Sequence, residues 1–521
     1  MYYNLFNFPS KNTTKRDIFT PYIPINYFIS AFYLLNEKKT LILHPNNKNK
    51  GGGNTVYHAT HMLQQFTVEN FLSFKDREVF KLQPGKGSRN KEHKVEPIKG
   101  HWILKSAALF GPNAGGKSNF VEALELGKRL VLLGTRAETL IEYHPFRLSS
   151  ECKNKDTTIT YHILCNNKKY EYGFSYNAER ISREWLKQIT RKTEYIIFNR
   201  DITAKEPFNI SYLIKLNPKD EERQFLSFFA KATPQYQLFL HEVISRNLRD
   251  NVSNVEDLWE VIKWFVDTLK VLFPDTPYKQ GGMLKAVNDE QLKEGFSELL
   301  RYFDTGIQAI DLIDVDFDKL GIAQDMRQFI KTDLSKSSNA EAFGSLRFEN
   351  NLYLITYIDG TIKAKKLQTI HNIIDKEEKE YFSLGDESDG TQRIFDYIPL
   401  ILDLIQGEKV FVIDEMERSL HPALMRNLIE LFFKYSNNIS TQLIFTTHES
   451  TLMDQELLRR DEIWLIEKNK DGVSSLNRLD EKFNLRFDKE LERSYLKGLF
   501  GASPDFGSEG TILKLRTLLG T

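Results

Sequence analysis

Hydrophobic and polar positions alternate in short blocks along the early part of the chain. Phe66-Thr67-Val68-Glu69-Asn70-Phe71 alternates, and Glu78-Val79-Phe80-Lys81-Leu82 alternates again after a polar turn, so both are expected as strands. Residues 158–174 read as a hairpin. Ile159, Tyr161 and Ile163 alternate, Asn166-Asn167 supply the turn, and Tyr170, Tyr172 and Phe174 return. Ser106-Ala107-Ala108-Leu109-Phe110 is a short apolar run, followed by a helical period over about 118–133. The middle, roughly 190–345, predicts helices. Val255, Leu258, Trp259, Ile262, Phe265, Val266 and Leu269 mark one face, and Leu292, Phe296, Leu299, Leu300 and Phe303 mark another. A strand pattern resumes near 352–357. Two buried-strand runs, 409–413 and 442–446, flank a helix expected over about 421–435, and strand, helix, strand in that order argues a parallel sheet.

Composition narrows the class. The chain has 521 residues, too many for one simple core, with 41% hydrophobic and 27% charged residues, as in soluble globular proteins. Lys+Arg and Asp+Glu are both 71, which excludes a chain-wide basic field for nucleic acid while leaving local patches open. Two cysteines, Cys152 and Cys165, exclude a disulfide framework and a cysteine zinc ribbon, and they suit a reducing cytoplasm. No apolar run reaches the roughly 18 residues of a membrane span, so no membrane partner is expected. Residues 1–61 stand apart, with seven Lys/Arg against two Asp/Glu, frequent asparagine and Gly51-Gly52-Gly53. They are expected to be a disordered or non-functional extension.

Four motifs carry chemistry. Gly111-Pro112-Asn113-Ala114-Gly115-Gly116-Lys117-Ser118 fits the phosphate-loop pattern, with an apolar strand before it and a helix after it. Backbone N–H groups of such a loop wrap phosphates, Lys117 reaches the β and γ phosphates, and the Ser118 hydroxyl ligates Mg²⁺. Val410-Phe411-Val412-Ile413-Asp414-Glu415 is an apolar strand ending in two carboxylates. Asp414 is placed to hold Mg²⁺ through water, and Glu415 to orient or deprotonate the attacking water. Thr446-Thr447-His448 ends the next buried strand, where His448 is read as a γ-phosphate contact. Glu387-Ser388-Asp389-Gly390-Thr391-Gln392 precedes a helix starting near Arg393. It reads either as a helix cap or as a phosphate-binding helix start, with Ser388 and Gly390 facing a nucleotide held by a second subunit.

In this order the motifs resemble the ABC-type ATPase heads of the SMC, RecF and OLD-like branch, which the opening Val68-Glu69-Asn70-Phe71-Leu72-Ser73-Phe74 also resembles. The runs 113–119 and 387–391, with the tail Tyr495-Leu496-Lys497-Gly498-Leu499-Phe500-Gly501-Ala502-Ser503-Pro504, look more specifically like stand-alone bacterial ATPases of phage-defence and abortive-infection loci. RloA-like proteins and the PARIS and Septu ATPases are examples. The resemblance covers about 62–506. It implies an α/β fold: a P-loop NTPase of ABC-head type with a mixed or parallel sheet, an antiparallel β subdomain and a large helical insertion. The implied domains are the extension 1–61, a first head segment 62–190 with the phosphate loop and a mainly helical insertion 191–345. A second head segment 346–480 and a tail 481–521 complete them.

The resemblance also implies roles. Gly111, Asn113, Gly115, Gly116, Lys117, Ser118 and Asn119 would bind ATP. Ser118 and Asp414 would hold Mg²⁺, Glu415 would be the catalytic base and His448 the switch histidine. Ser388 and Gly390 would complete a partner's site, and 417–422 would cross the dimer interface. The signature departs from the transporter form, reading Ser-Asp-Gly-Thr, and 134–150 contains no glutamine for the water-positioning loop. The expected protein is a cytoplasmic ATPase that forms an ATP-sandwich homodimer or higher oligomer. It would control a separate effector, such as a nuclease encoded nearby, in antiviral defence. The residues after His448 are too few for a Toprim nuclease domain, and no Arg-x4–6-His spacing of a HEPN ribonuclease occurs. The alternative is a RecF- or SMC-like DNA-repair or DNA-clamping head, with DNA as partner and clusters such as Lys187–Lys192 or Lys363–Lys366 as its surface. Asp311, Asp314, Asp316 and Asp318 are expected to be alternating exposed residues of a strand rather than metal ligands.

Overall fold

The computed structural model describes residues 2–7 and 60–501, apart from 88, 137–138, 218, 277, 336–340, 350, 375, 437–439 and 484–489. Most of the 1–61 extension and the end of the tail, from 502, lie outside the described residues. The chain divides into two compact units. One holds Tyr57–Pro274, Glu408–Glu417 and Ile429–Thr521, and the other Met1–Val56, Asp275–Gly407 and Arg418–Leu428.

The first unit is a P-loop NTPase fold built on a mixed sheet. Its strands are β1 (Ser106–Phe110), β2 (Leu269–Leu272), β3 (Val410–Ile413), β4 (Gln442–Thr447), β5 (Ile463–Lys468) and β6 (Ser474–Arg478), in the order β2-β3-β4-β1-β5-β6. The first five are mutually parallel and β6 closes the edge antiparallel. Every residue of β1, β3 and β4 is buried, which is why apolar residues run on without alternation through 107–110, 410–413 and 443–445, with polar residues only at the strand ends. The helix α1 (Lys117–Leu133) follows β1.

β2 corrects the expectation that Leu269 continues a helical face. The helix Glu256–Lys263 passes through a π turn, Trp264–Thr268, and the chain then extends as Leu269–Leu272. Here backbone pairing with β3, Leu269 against Val410 to Leu272 against Ile413, overrides the apolar period of 3.6.

A second, antiparallel sheet of seven strands runs from Phe208–Asn209 through Glu194–Asp201, Ile181–Ile189, Lys168–Tyr176, Thr157–Cys165 and His61–Glu69 to Glu78–Lys81. The expected hairpin turns at Asn166-Asn167, both with positive φ (48° and 63°), the backbone that an asparagine pair tolerates. This sheet packs aromatic rings on α1. Phe66 meets Phe120 edge-on at 5.6 Å, and the buried Tyr161 donates its hydroxyl to Leu124 O at 2.8 Å. The side chain of Gln442, at the start of β4, ties the two sheets together. It accepts from Leu63 N (2.7 Å) and donates to Leu63 O (3.0 Å) and Leu104 O (2.9 Å).

The second unit has its own sheet. Tyr2–Asn7, Glu341–Phe348, Asn351–Ile358, Thr361–Asn372 and Ala309–Val315 pair in that order, and Lys379–Ser383 pairs with Thr361–Asn372. Phe317, Ile330, Leu334, Leu346 and Ile355 belong to its core. Its helix α2 (Asp389–Gln406) begins at the Ser388 motif. Asp311 and Asp314 stand on the strand Ala309–Val315 opposite Gln368 and Lys365, and Asp316 caps the turn Phe317–Lys319. Among the described residues no group of three or more His, Cys, Asp or Glu is placed to hold a metal ion, and no helix is long and apolar enough to cross a membrane.

Lys105, immediately before β1, is buried and donates to Ser436 O (2.6 Å) and Ser436 Oγ (2.7 Å). Burial lowers its pKa to about 8, against the raising effect of Glu462 and Glu92. Between about 8 and the ordinary value of 10.5 the unfolded chain therefore binds more protons, so this residue makes stability rise with pH there. Relative to Lys105→Met, the wild type is expected to gain on the order of 2 kcal/mol in unfolding free energy between pH 7 and 10. Denaturant titrations of both proteins at the two pH values measure it, and an unchanged gap would contradict the assignment.

Candidate nucleotide-binding site

β1, β3 and β4 end together. Thr447 pairs with Phe110 and Phe445 with Ile413, so Gly111, Asp414 and His448 leave adjacent parallel strands at one edge of the sheet. Gly111 passes so close to β5 that a Cβ would lie 2.4 Å from Ile466 O. Gly116, the residue before α1, has φ +117°, and a Cβ there would lie 2.5 Å from Ser474 Oγ. Neither position admits a side chain. No side chain caps α1 at Gly116, so the first amides of a long helix face the loop, an arrangement suited to an anion.

Lys117 is buried and folds back on its own loop, donating to Gly111 O (2.8 Å) and Pro112 O (3.2 Å), with Nδ1 of His448 at 3.4 Å. Burial lowers its pKa to about 8, while Glu417, Asp414 and Glu415 hold it up. His448, at the rim, is also shifted down, by desolvation and then by Lys117, which favours the neutral ring that can accept from the ammonium. Asn113 on the loop and Ser118 in the first turn of α1 are exposed. Asn119 points elsewhere, donating to Ser73 Oγ at 2.7 Å.

The acidic pair sits on a sharp turn. Asp414 is buried, with its backbone N–H on Leu272 O (2.9 Å). Glu415 takes φ +46°, a left-handed conformation costly for a residue with a Cβ. Thr446 holds this turn. Its hydroxyl donates to Asp414 Oδ1 (2.6 Å) and accepts the backbone N–H of Glu415 (2.8 Å), while its carbonyl accepts from Met416 N (3.2 Å). One carboxylate oxygen of Asp414 is thus held in place, leaving Oδ2 for other work. That oxygen and the hydroxyl of the exposed Ser118, in the first turn of α1, are the donors that suit Mg²⁺ with its waters.

Thr446 was not singled out in the sequence, although it lies two residues before His448. Two further supports were also missed. Ser474 Oγ donates to Gly115 O (2.6 Å) and lies 2.8 Å from Ser73 Oγ, and Ser474 N donates to Ser73 O (2.8 Å). Ser474 has one hydroxyl proton and a carbonyl can only accept, so that proton goes to Gly115. Asn119, Ser73, Ser474 and Gly115 then form one chain of hydrogen bonds behind the loop.

Ser388 and Gly390 belong to the second unit. Ser388 caps α2, its exposed Oγ accepting from Thr391 N at 3.1 Å. A Cβ on Gly390 would lie 2.9 Å from Ser419 O. The preceding Glu387 is held by His371, whose Nε2 lies 2.7 Å from Oε1.

Residues 106–454, well over half of the chain, match the family described as "AAA domain, putative AbiEii toxin, Type IV TA system". The chain belongs to this family of AAA-type P-loop proteins. No curated protein matches it significantly. Similar solved structures include three SMC heads. One, bound to the C-winged helix domain of ScpA, has 10% identity and a TM-score of 0.37, covering 81% of this chain and 99% of that one. The SMC head domain from Thermotoga maritima has 11% identity and a TM-score of 0.32, covering 80% and 98%. The third, with an extended coiled coil and bound to the C-terminal domain of ScpA derived from Pyrococcus furiosus, has 12% identity and a TM-score of 0.31, covering 81% and 98%. At these scores the likeness carries no functional information.

Thr446→Val removes both hydroxyl bonds while keeping the shape of the side chain. It is expected to lower the rate of ATP turnover about tenfold or more, whereas Thr446→Ser stays near wild type. Steady-state phosphate release checks this, and equal rates for Val and Ser would remove Thr446 from the machinery.

Proposed function

We propose that the protein is an ATP-hydrolysing, ABC-type ATPase that dimerises around ATP and controls a separate effector, such as a nuclease, in a bacterial antiphage or abortive-infection system. The observation that carries the ATPase part is the meeting of Gly111–Ser118, Asp414, Glu415 and His448 at one edge of a parallel sheet. In this reading the loop amides and Lys117 bind the phosphates, and Lys117 leaves the Gly111 and Pro112 carbonyls to do so. Ser118 and Asp414 hold magnesium, which when bound neutralises charge on the phosphates. Glu415, fixed by Thr446, orients and deprotonates the attacking water, and His448 contacts the γ-phosphate. The exposed Ser388 and the half-buried Gly390, at the start of α2, serve a nucleotide on a second copy, so ATP and ADP states differ in dimer affinity.

The defence role rests on the motif resemblance and on the family's description as a toxin of a toxin–antitoxin system. Two lysines of the basic runs behind the DNA-clamping alternative are engaged within the protein. Lys187 is paired with Glu171 and Glu194, and Lys365 bonds to Asn288.

Glu415→Gln is expected to abolish turnover, a loss of at least 100-fold on the order of a removed general base, and to trap an ATP-bound dimer, read by light scattering after gel filtration. Lys117→Ala is expected to lose nucleotide binding. Turnover that survives Glu415→Gln would overturn the assignment of the base. For the defence part, pull-down from a host carrying the neighbouring genes is expected to bring a nuclease or toxin that leaves on phage challenge. ATPase activity of the protein alone that rises on added DNA would instead favour the clamp.

A further inference from the structure

Glu417 belongs to the segment expected to cross a dimer interface, yet its side chain is engaged within its own unit. Oε1 accepts the backbone N–H of His448 at 2.5 Å, tying the turn after β3 to the end of β4. The other oxygen, Oε2, is buried and has no hydrogen-bond partner among the described residues. A buried carboxylate oxygen without a donor loses its hydration and gains nothing in return, so such an atom points to an ordered water or ion.

The neighbouring donors are already engaged. The Thr446 hydroxyl proton is on Asp414, the Lys117 ammonium is on Gly111 and Pro112 and near the His448 ring, and the His448 amide is on Oε1. Through His448, whose Nδ1 lies 3.4 Å from Lys117 Nζ, Glu417 is tied to the edge where the phosphate loop begins. No described residue supplies a donor for Oε2, which leaves that position open to a group from outside the protein.

Resting on the ATP-binding reading above, we infer that Glu417 is a positioning residue of its own nucleotide site, where Oε1 anchors the end of β4 and Oε2 accepts a hydrogen bond from a water bound to the nucleotide's magnesium ion.

Glu417→Gln separates the two oxygens. Glutamine keeps a carbonyl oxygen for the His448 amide but puts an N–H₂ donor where Oε2 was. The test is titration of fluorescent ATP into full-length protein in Mg²⁺ and in EDTA. Wild type is expected to bind more tightly in Mg²⁺. Glu417→Gln is expected to lose about tenfold of that gain, as outer partners of a metal site typically do, with its affinity in EDTA not weakened. If Glu417→Gln does not fold, Glu417→Asp keeps the charge but withdraws it by one methylene, and the same loss of magnesium gain is expected. A full magnesium gain in the folded variant, with impairment confined to Glu417→Ala, would overturn the inference and leave Glu417 as an anchor for His448 alone. Wild type that binds no ATP in either buffer would overturn the ATP-binding reading and this inference with it.

Discussion

The register of β4 between β3 and β1 is the constraint on which the rest of the first unit depends. Backbone pairing sets Phe445 against both Ile413 and Ala108. Everything chemical then follows at the next residues: a glycine loop after β1, two carboxylates after β3, a histidine after β4. A slip of one residue would turn the Thr446 hydroxyl away from Asp414 and Glu415. The fully satisfied Gln442 side chain pins the other end of the strand to the antiparallel sheet.

The site assembled this way is electrostatically tense. Three carboxylates, Asp414, Glu415 and Glu417, act on one buried lysine that hydrogen-bonds its own loop's carbonyls. Burial disfavours the charge on Lys117, and a polyanion with a divalent cation would compensate both signs at once. The strained backbone of Glu415 fits the same picture. The cost of its positive φ is borne by the Thr446 hydroxyl, which fixes the carboxylate's starting point before any ligand arrives.

Local signals in the sequence were enough for the elements and the chemistry-bearing residues. The runs 106–110, 409–413 and 442–446 were legible because strands buried on both faces carry adjacent apolar residues without alternation, and the hairpin was legible because its two faces differ. The phosphate loop was legible because glycine spacing reflects close backbone approach. The contacts that hold these parts were not. Ser474 is one of two adjacent serines on an edge strand, far along the chain from Ser73 and the loop, and no pattern joins them. Glu417 reads as one acid in an acidic turn, and only its buried, unpartnered oxygen separates it from a solvated one. Leu269 was misread because a helical face and a short buried strand share the same apolar residues until the neighbouring strand is known.

The most direct test of this account is a structure of the full-length protein with a non-hydrolysable ATP analogue and Mg²⁺. The account predicts phosphates on the amides of Gly111–Ser118, with Lys117 Nζ moved from the Gly111 and Pro112 carbonyls to the β and γ phosphates. It also predicts Ser388 and Gly390 of a second copy against the γ-phosphate. Nucleotide bound away from the edge shared by β1, β3 and β4, or Lys117 still on its carbonyls beside a bound triphosphate, would contradict it.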